Sequence, residues 1–141
     1  MREIADIPVG ELMSKPAVTV TPETSIGAFT DLLARYDYNG FPVVNAGGAL
    51  QGLVTRLDLF KLYLLPYRRF IPALEETWVS SVAAIMSRGV VALYPVEPAI
   101  KAMALMVDHG LRTIPIVTDT TAGHVVVGVV TRRDLTHALK P

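Results

Sequence analysis

The sequence predicts a mixed α+β (α/β) fold made of two βαββα copies, and three observations carry that prediction. The stretch Gly128-Val129-Val130-Thr131-Arg132-Arg133-Asp134-Leu135 repeats an earlier one, Gly52-Leu53-Val54-Thr55-Arg56-Leu57-Asp58-Leu59. Met13-Ser14-Lys15 aligns with Met86-Ser87-Arg88, and the same offset of 73 residues carries Pro22 onto Pro95 and Pro42 onto Pro115. Between these landmarks, short apolar runs alternate with helical spacing of apolar residues, which is the signature of strands interleaved with amphipathic helices.

Each copy opens on a short predicted strand, Ala17 to Val20 in the first and Val90 to Leu93 in the second. Pro22-Glu23-Thr24-Ser25 reads as a turn and helix start, and the helix is expected to reach about Tyr36 with Ile26, Phe29, Leu32 and Leu33 on one buried face. Phe41 to Val44 is a second strand, Asn45-Ala46-Gly47-Gly48 a turn, and Leu50 to Thr55 a third strand that leads into a helix from about Arg56 to Leu65. The second copy gives a helix over Ile100 to His109, a strand over Ile114 to Val117, a loop from Asp119 to Gly123, a strand over Val125 to Thr131 and a helix from Arg132 to about Leu139. Three extra residues fall between Asp119 and His124, in a surface turn where a repeat absorbs length without disturbing its core. Val125, Val126, Val127, Val129 and Val130 form the nearly unbroken apolar run expected of a strand covered on both sides.

The expected organisation is an N-terminal segment over 1–8, the two copies over 9–65 and 79–141, and a linker over 66–78. The linker holds Pro66, Pro72 and the basic pair Arg68-Arg69, and its apolar residues Tyr67, Phe70, Ile71, Leu74 and Trp78 predict that it packs down; a helical stretch from Trp78 to Met86 follows. A copy of this size buries too little surface to stand comfortably alone, so the two are expected to pack together.

Composition narrows the function classes. The 141 residues are 51% hydrophobic and carry 13 basic and 13 acidic side chains, with neither half departing from neutrality, so nothing here attracts a nucleic-acid backbone over a broad surface. Cysteine is absent, which removes disulfides, thiolate catalysis and cysteine zinc sites together. Acids stand in the first seven residues where a signal peptide would be apolar, and no apolar run approaches the ~18 residues that span a bilayer. A cytoplasmic protein without membrane insertion is expected.

The paired Met-Ser starts, Pro22 and Pro95, Phe41-Pro42-Val43-Val44 with Ile114-Pro115-Ile116-Val117, and the two Gly-x-Val-Thr-x-x-Asp-Leu closures resemble the tandem cystathionine-β-synthase (CBS) domain pair, or Bateman module, over about residues 9 to 140. The resemblance implies repeats related by a pseudo-twofold axis, two clefts between them and dimerisation into a disc. It also implies a regulatory role: such pairs bind AMP, ADP, ATP or S-adenosylmethionine and relay occupancy to another protein.

The Thr-x-x-Asp pairs, Thr55 with Asp58 and Thr131 with Asp134, read in two compatible ways. Threonine and an acid three residues on, before an apolar helix, make a capping box. The same groups suit a nucleotide: a carboxylate accepts both hydroxyls of a ribose diol, whereas a threonine hydroxyl and helix N-terminus suit phosphate oxygens. By resemblance, one cleft joins Thr131 and Asp134 to Arg112, Tyr38, Asn39 and Lys15, and the mirror cleft joins Thr55 and Asp58 to Asn39, Arg112 and Arg88. The strand entries at Lys15-Pro16 and Arg88-Gly89 would hold the adenine edge by their backbone, and Thr113 lies beside Arg112 in the cleft-facing segment. Arg112 is the favoured phosphate ligand because a guanidinium forks onto phosphate oxygens, and Arg132, inside the second motif, is a further candidate.

His109, His124 and His137 lack ligand spacing, so no metal site is expected. The sequence has no Gly-x-Ser-x-Gly elbow, no Gly-Lys-Ser/Thr phosphate loop, no His-Glu-x-x-His and no Gly-x-Gly-x-x-Gly, so it predicts no enzyme. The expected function is therefore a stand-alone regulatory module: a homodimer with an adenosine-containing ligand, no required cofactor, and an effector protein on another chain. The rival readings are a ligand-free structural or oligomerisation module and a weak nucleotide-acting enzyme.

Overall fold

The computed structural model describes residues 3–69 and 80–139. Their order is a 3₁₀ turn (Ile4–Asp6), α1 (Val9–Leu12), α2 (Ile26–Arg35), β1 (Gly40–Val44), β2 (Leu50–Thr55), α3 (Arg56–Arg69), a second 3₁₀ turn (Val82–Ala84), α4 (Ala99–His109), β3 (Thr113–Thr120), β4 (Gly123–Thr131) and α5 (Arg132–Ala138), a mixed α+β fold. The chain divides into two compact units that do not follow the repeat boundaries. One comprises Thr19–Ala46 and Gln51–Val90; the other comprises Met1–Val18, Gly47–Leu50 and Val91–Pro141.

In the first-repeat unit, α2 begins directly after Ser25, whose backbone is extended and whose Oγ accepts the Ala28 amide at 3.0 Å. Ile26, Phe29 and Leu33 are buried while Leu32 is only half-buried, so the apolar face is narrower than predicted. β1 is buried along its whole length and pairs with β2, and Phe41 meets Phe29 edge to face at 6.1 Å. The strand expected over Ala17 to Val20 reduces to one residue. Val20 bridges Val43, taking the Val44 amide at 2.8 Å and giving its own to Pro42 at 3.0 Å, and the turn closed by Thr24 on Thr21 ends the alignment at once. Nor does a helix run from the described end of the linker to Met86: Ser80 and Val82 exchange backbone hydrogen bonds with Ile26 and Thr24, which holds this segment extended up to the single turn at Val82–Ala84. Phe70, Ile71, Leu74, Trp78 and the Tyr67 side chain lie outside the described residues.

The second-repeat unit repeats this arrangement with the N-terminal segment in the place of 80–86. Ala99 donates to Ile7 at 2.7 Å and Val9 to Glu97 at 2.8 Å, matching Ile26 to Ser80 and Val82 to Thr24 in the other unit. Leu93, like Val20, is a single parallel bridge, to Ile116, where a full strand was expected. β3 and β4 are antiparallel from Thr113↔Thr131 to Thr120↔Gly123, with a bulge at Ile116/Val117 that leaves Val127 without an opposite residue. The three extra residues lengthen this hairpin rather than its loop, so the predicted loop shrinks to Thr121 and Ala122. Asp119, expected in the loop, pairs with His124, and its carboxylate receives Tyr94 Oη at 3.1 Å and the His124 ring at 2.5 Å. The bulge also resets the alternation of β4: Val129 and Val130 are buried, but Val125, Val126 and Val127 are half-buried, so the strand is not covered on both sides throughout.

The core of this unit consists of Val9, Leu93, Ala99, Ala102, Met106, Ile114, Ile116, Val130 and Leu135. Every one has a buried counterpart in the other unit: Val82, Val20, Ile26, Phe29, Leu33, Phe41, Val43, Val54 and Leu59. Phe29 and Phe41 give way to Ala102 and Ile114, and Ile4, Ile7, Leu12, Met13, Met103, Leu105, Leu111 and Val127 pack against this core from its sides.

Candidate functional site

Each Thr-x-x-Asp pair sits where a buried strand turns into a helix, β2 into α3 and β4 into α5. In the first, the Thr55 amide and Oγ1 donate to Asp58 Oδ2 at 2.8 and 3.0 Å, and the Asp58 amide donates to Thr55 Oγ1 at 3.2 Å. In the second, the Thr131 amide and Oγ1 donate to Asp134 Oδ2 at 2.9 and 3.0 Å, and the Asp134 amide returns to Thr131 Oγ1 at 3.2 Å. Both are reciprocal capping boxes, so the capping reading holds at both sites. It leaves Oδ1 of each carboxylate outside the box. It also commits the proton of each threonine hydroxyl to the carboxylate, so the hydroxyl keeps only acceptor capacity and does not offer a phosphate oxygen a donor without breaking the box.

The arginines that open the helices are tied down in parallel. Arg56 donates its amide to Asn39 carbonyl at 2.7 Å and Nη2 to Tyr38 carbonyl at 3.2 Å. Arg132 donates its amide to Arg112 carbonyl at 3.4 Å and Nε to Leu111 carbonyl at 3.0 Å. The segment before each buried proline, Tyr38-Asn39 or Leu111-Arg112, is thereby fixed beside the Thr-x-x-Asp turn of its own unit.

Among the predicted site residues, the second-repeat unit brings together Thr131, Asp134, Arg112, Thr113 and Arg132. Thr113 is buried and paired across the hairpin with Thr131, which makes it a strand residue, while the Arg112 and Arg132 side chains are exposed. Lys15 and Pro16 belong to the same unit and are exposed, next to Ser14, whose backbone pairs with Val129 in both directions at 2.8 and 3.1 Å. The first-repeat unit brings together Thr55, Asp58, Tyr38 and Asn39. Tyr38 is half-buried, stacked on Tyr36 at 5.4 Å and edge-on to Phe41 at 5.8 Å, whereas Asn39 is exposed. Arg88 is exposed and follows Ser87, whose backbone pairs with Leu53 at 2.9 Å in both directions.

Two features escaped the sequence reading. Ser14 Oγ donates to the carboxylate of Asp134, 3.1 Å from Oδ1 and 3.3 Å from Oδ2, from 120 positions away in the chain. The glycines of the two closures have a steric role: a Cβ on Gly128 would lie 2.6 Å from Met13 Sδ and 2.9 Å from the Ser14 carbonyl, and one on Gly52 would collide with the Ser87 carbonyl. The repeated Met-Ser and Gly-x-Val-Thr landmarks are thus two sides of one contact, and their recurrence at matching places was the signal. Among the described residues no group of three or more His, Asp or Glu is arranged to hold a metal, and no helix is long and apolar enough to cross a membrane.

A CBS domain-containing protein of Dictyostelium discoideum is 28% identical over 132 residues, 90% of this chain and 87% of that protein. L-aspartate semialdehyde sulfurtransferase of Methanocaldococcus jannaschii is 28% identical over 127 residues, and the chain spans only 22% of its length. The CBS domain pair of protein MJ0100, solved with 5′-methylthioadenosine and S-adenosyl-L-methionine, superposes with a TM-score of 0.76 at 26% identity, covering 94% of this chain and 99% of that one. CBSX2 in complex with AMP shares the fold, with a TM-score of 0.77 at 22% identity over 94% of this chain and 95% of that one. The CBS domain family matches residues 9–65 and 82–141, so nearly the whole chain, read as two copies, belongs to that family.

Proposed function

We propose that this chain is a regulatory module that binds an adenosine-containing ligand, AMP, ADP, ATP or S-adenosylmethionine, at its two Thr-x-x-Asp sites and signals occupancy to a partner protein. The observation that carries this reading is the pair of carboxylates, Asp58 and Asp134, each held in one orientation by its threonine with Oδ1 directed out of the capping box. A carboxylate fixed in this way is prepared to accept a sugar hydroxyl without first being ordered. Support comes from the MJ0100 domain pair, whose two named ligands both carry an adenosine group. Arg112 and Lys15 for Asp134, and Arg88 for Asp58, are exposed cations that would face an anionic group of the ligand.

Association into a homodimer belongs to the same proposal. Leu57, Phe60 and Leu64 are exposed on α3 at the spacing of one helical stripe, and Val107 and Leu139 flank an apolar groove of about 440 Å³ between α4 and α5. No reaction is assigned to the chain in this reading, which places it in the cytoplasm.

A thermal-shift panel of AMP, ADP, ATP, NAD and S-adenosylmethionine tests the proposal, since a ligand at 100 times its dissociation constant stabilises the folded state by about 2.7 kcal/mol. A shift with at least one adenosine ligand that is lost in the double variant Asp58→Asn/Asp134→Asn is expected. No shift with any of them removes the ligand from the proposal and leaves the structural module.

A further inference from the structure

The two carboxylates are equivalent by sequence, but their surroundings differ at one atom. Asp134 receives the Ser14 hydroxyl in addition to both Thr131 donors. The counterpart of Ser14 is Ser87, and the backbones of the two serines do the same thing, each bridging the β-strand residue next to the closure glycine. The Ser87 side chain is exposed, however, and makes no hydrogen bond to Asp58. Among the described residues Asp58 is bonded only through the capping box, which leaves its Oδ1 open.

We infer that Ser14 is an internal competitor at Asp134: its hydroxyl occupies the carboxylate edge that a sugar hydroxyl would take, so the two sites are unequal and the Asp58 site fills first. The inference rests on the proposed binding of a ribose-bearing ligand. A serine hydroxyl donating to a carboxylate makes the same O–H···O⁻ bond that a ribose hydroxyl makes. A ligand arriving at Asp134 exchanges one such bond for another, whereas at Asp58 it adds one. A hydrogen bond to a charged group has a net value that corresponds to roughly a ten- to hundredfold change in affinity, and this is the expected size of the difference Ser14 makes.

The test is calorimetric titration with 5′-methylthioadenosine, which presents the ribose diol without a phosphate. The wild-type chain is expected to show a tight and a weak site per chain. In the Asp58→Asn background, which leaves the Asp134 site alone, adding Ser14→Ala should tighten binding about ten- to hundredfold. In the Asp134→Asn background, neither Ser14→Ala nor Ser87→Ala should change the remaining site. Equal sites in the wild type, or weaker binding when Ser14→Ala is added to Asp58→Asn, overturn the inference and leave the ligand proposal standing; the second result would make Ser14 a support for the carboxylate. Absence of binding by 5′-methylthioadenosine and by the whole adenosine panel defeats both together.

Discussion

Asp58 and Asp134 each do two things with one side chain, and the division runs between their oxygens. Oδ2 is held by the threonine, which stabilises the helix start, while Oδ1 lies outside the box, open at Asp58 and receiving the Ser14 hydroxyl at Asp134. Removing the side chain therefore removes both functions. Asp134→Ala is expected to destabilise the fold by about 1 kcal/mol through loss of the box, and urea unfolding will show it. Asp134→Asn retains one oxygen for the Thr131 amide, so its stability should fall less while ligand binding still suffers, which makes it the cleaner probe. Glu97 offers a different residue-scale test. Its carboxyl is held below its ordinary value of 4.5, chiefly by the hydrogen bond from Lys101 and further by the Tyr94 amide. Because the folded-state value is the lower one, this stabilisation is present above the ordinary carboxyl range and is lost as the pH falls through the folded value. Melting temperatures on acidification should therefore fall more steeply for the wild type than for Glu97→Gln, by the small amount a surface pair supports.

At the scale of elements, the landmark residues explain themselves once the crossing segments are seen. Gly52 and Gly128 are required because Met86-Ser87 and Met13-Ser14 cross over them, so Gly128→Ala is expected to cost about 1–3 kcal/mol by forcing the Met13 side chain and the Ser14 backbone away. Chemical denaturation measures this, and Met13→Ala should recover part of the loss only if the sulfur is the obstruction. The β2, α2, β4 and α4 segments were legible in the sequence, because a strand of six residues or a helix with an apolar stripe fixes its own periodicity. The opening strands and the helix before Met86 were not. Val20 and Leu93 are each a single bridge whose existence depends on a partner far along the chain, and residues 80–81 are extended because the 24–26 backbone pairs with this segment. Local pattern carries no information about such pairings. The same limit hid the Ser14–Asp134 hydrogen bond, whereas the Thr-x-x-Asp geometry, contained within a single turn, was read correctly as a box.

At the scale of the molecule, the sequence repeat and the folded unit are different objects. Val9 precedes the first repeat's strands yet belongs to the core of the second-repeat unit, and Val82 takes the equivalent place in the other. A polar substitution at Val9 should therefore loosen the far end of the chain before its own neighbourhood. In Val9→Asp, amide exchange is expected to speed up over 113–117 and 129–135 while 41–44 stays protected, and Val82→Asp should reverse the pattern. Uniform loss of protection in both variants would mean that the two units open as one.

The placement of residues 3–18 also bears on how the protein can be handled. A reporter group attached near the amino end rides on the unit that holds Asp134, so its signal would follow events around that carboxylate. Severing the chain in the stretch before Ser80 would not release two self-sufficient halves, because each fragment would carry off the piece that completes the other.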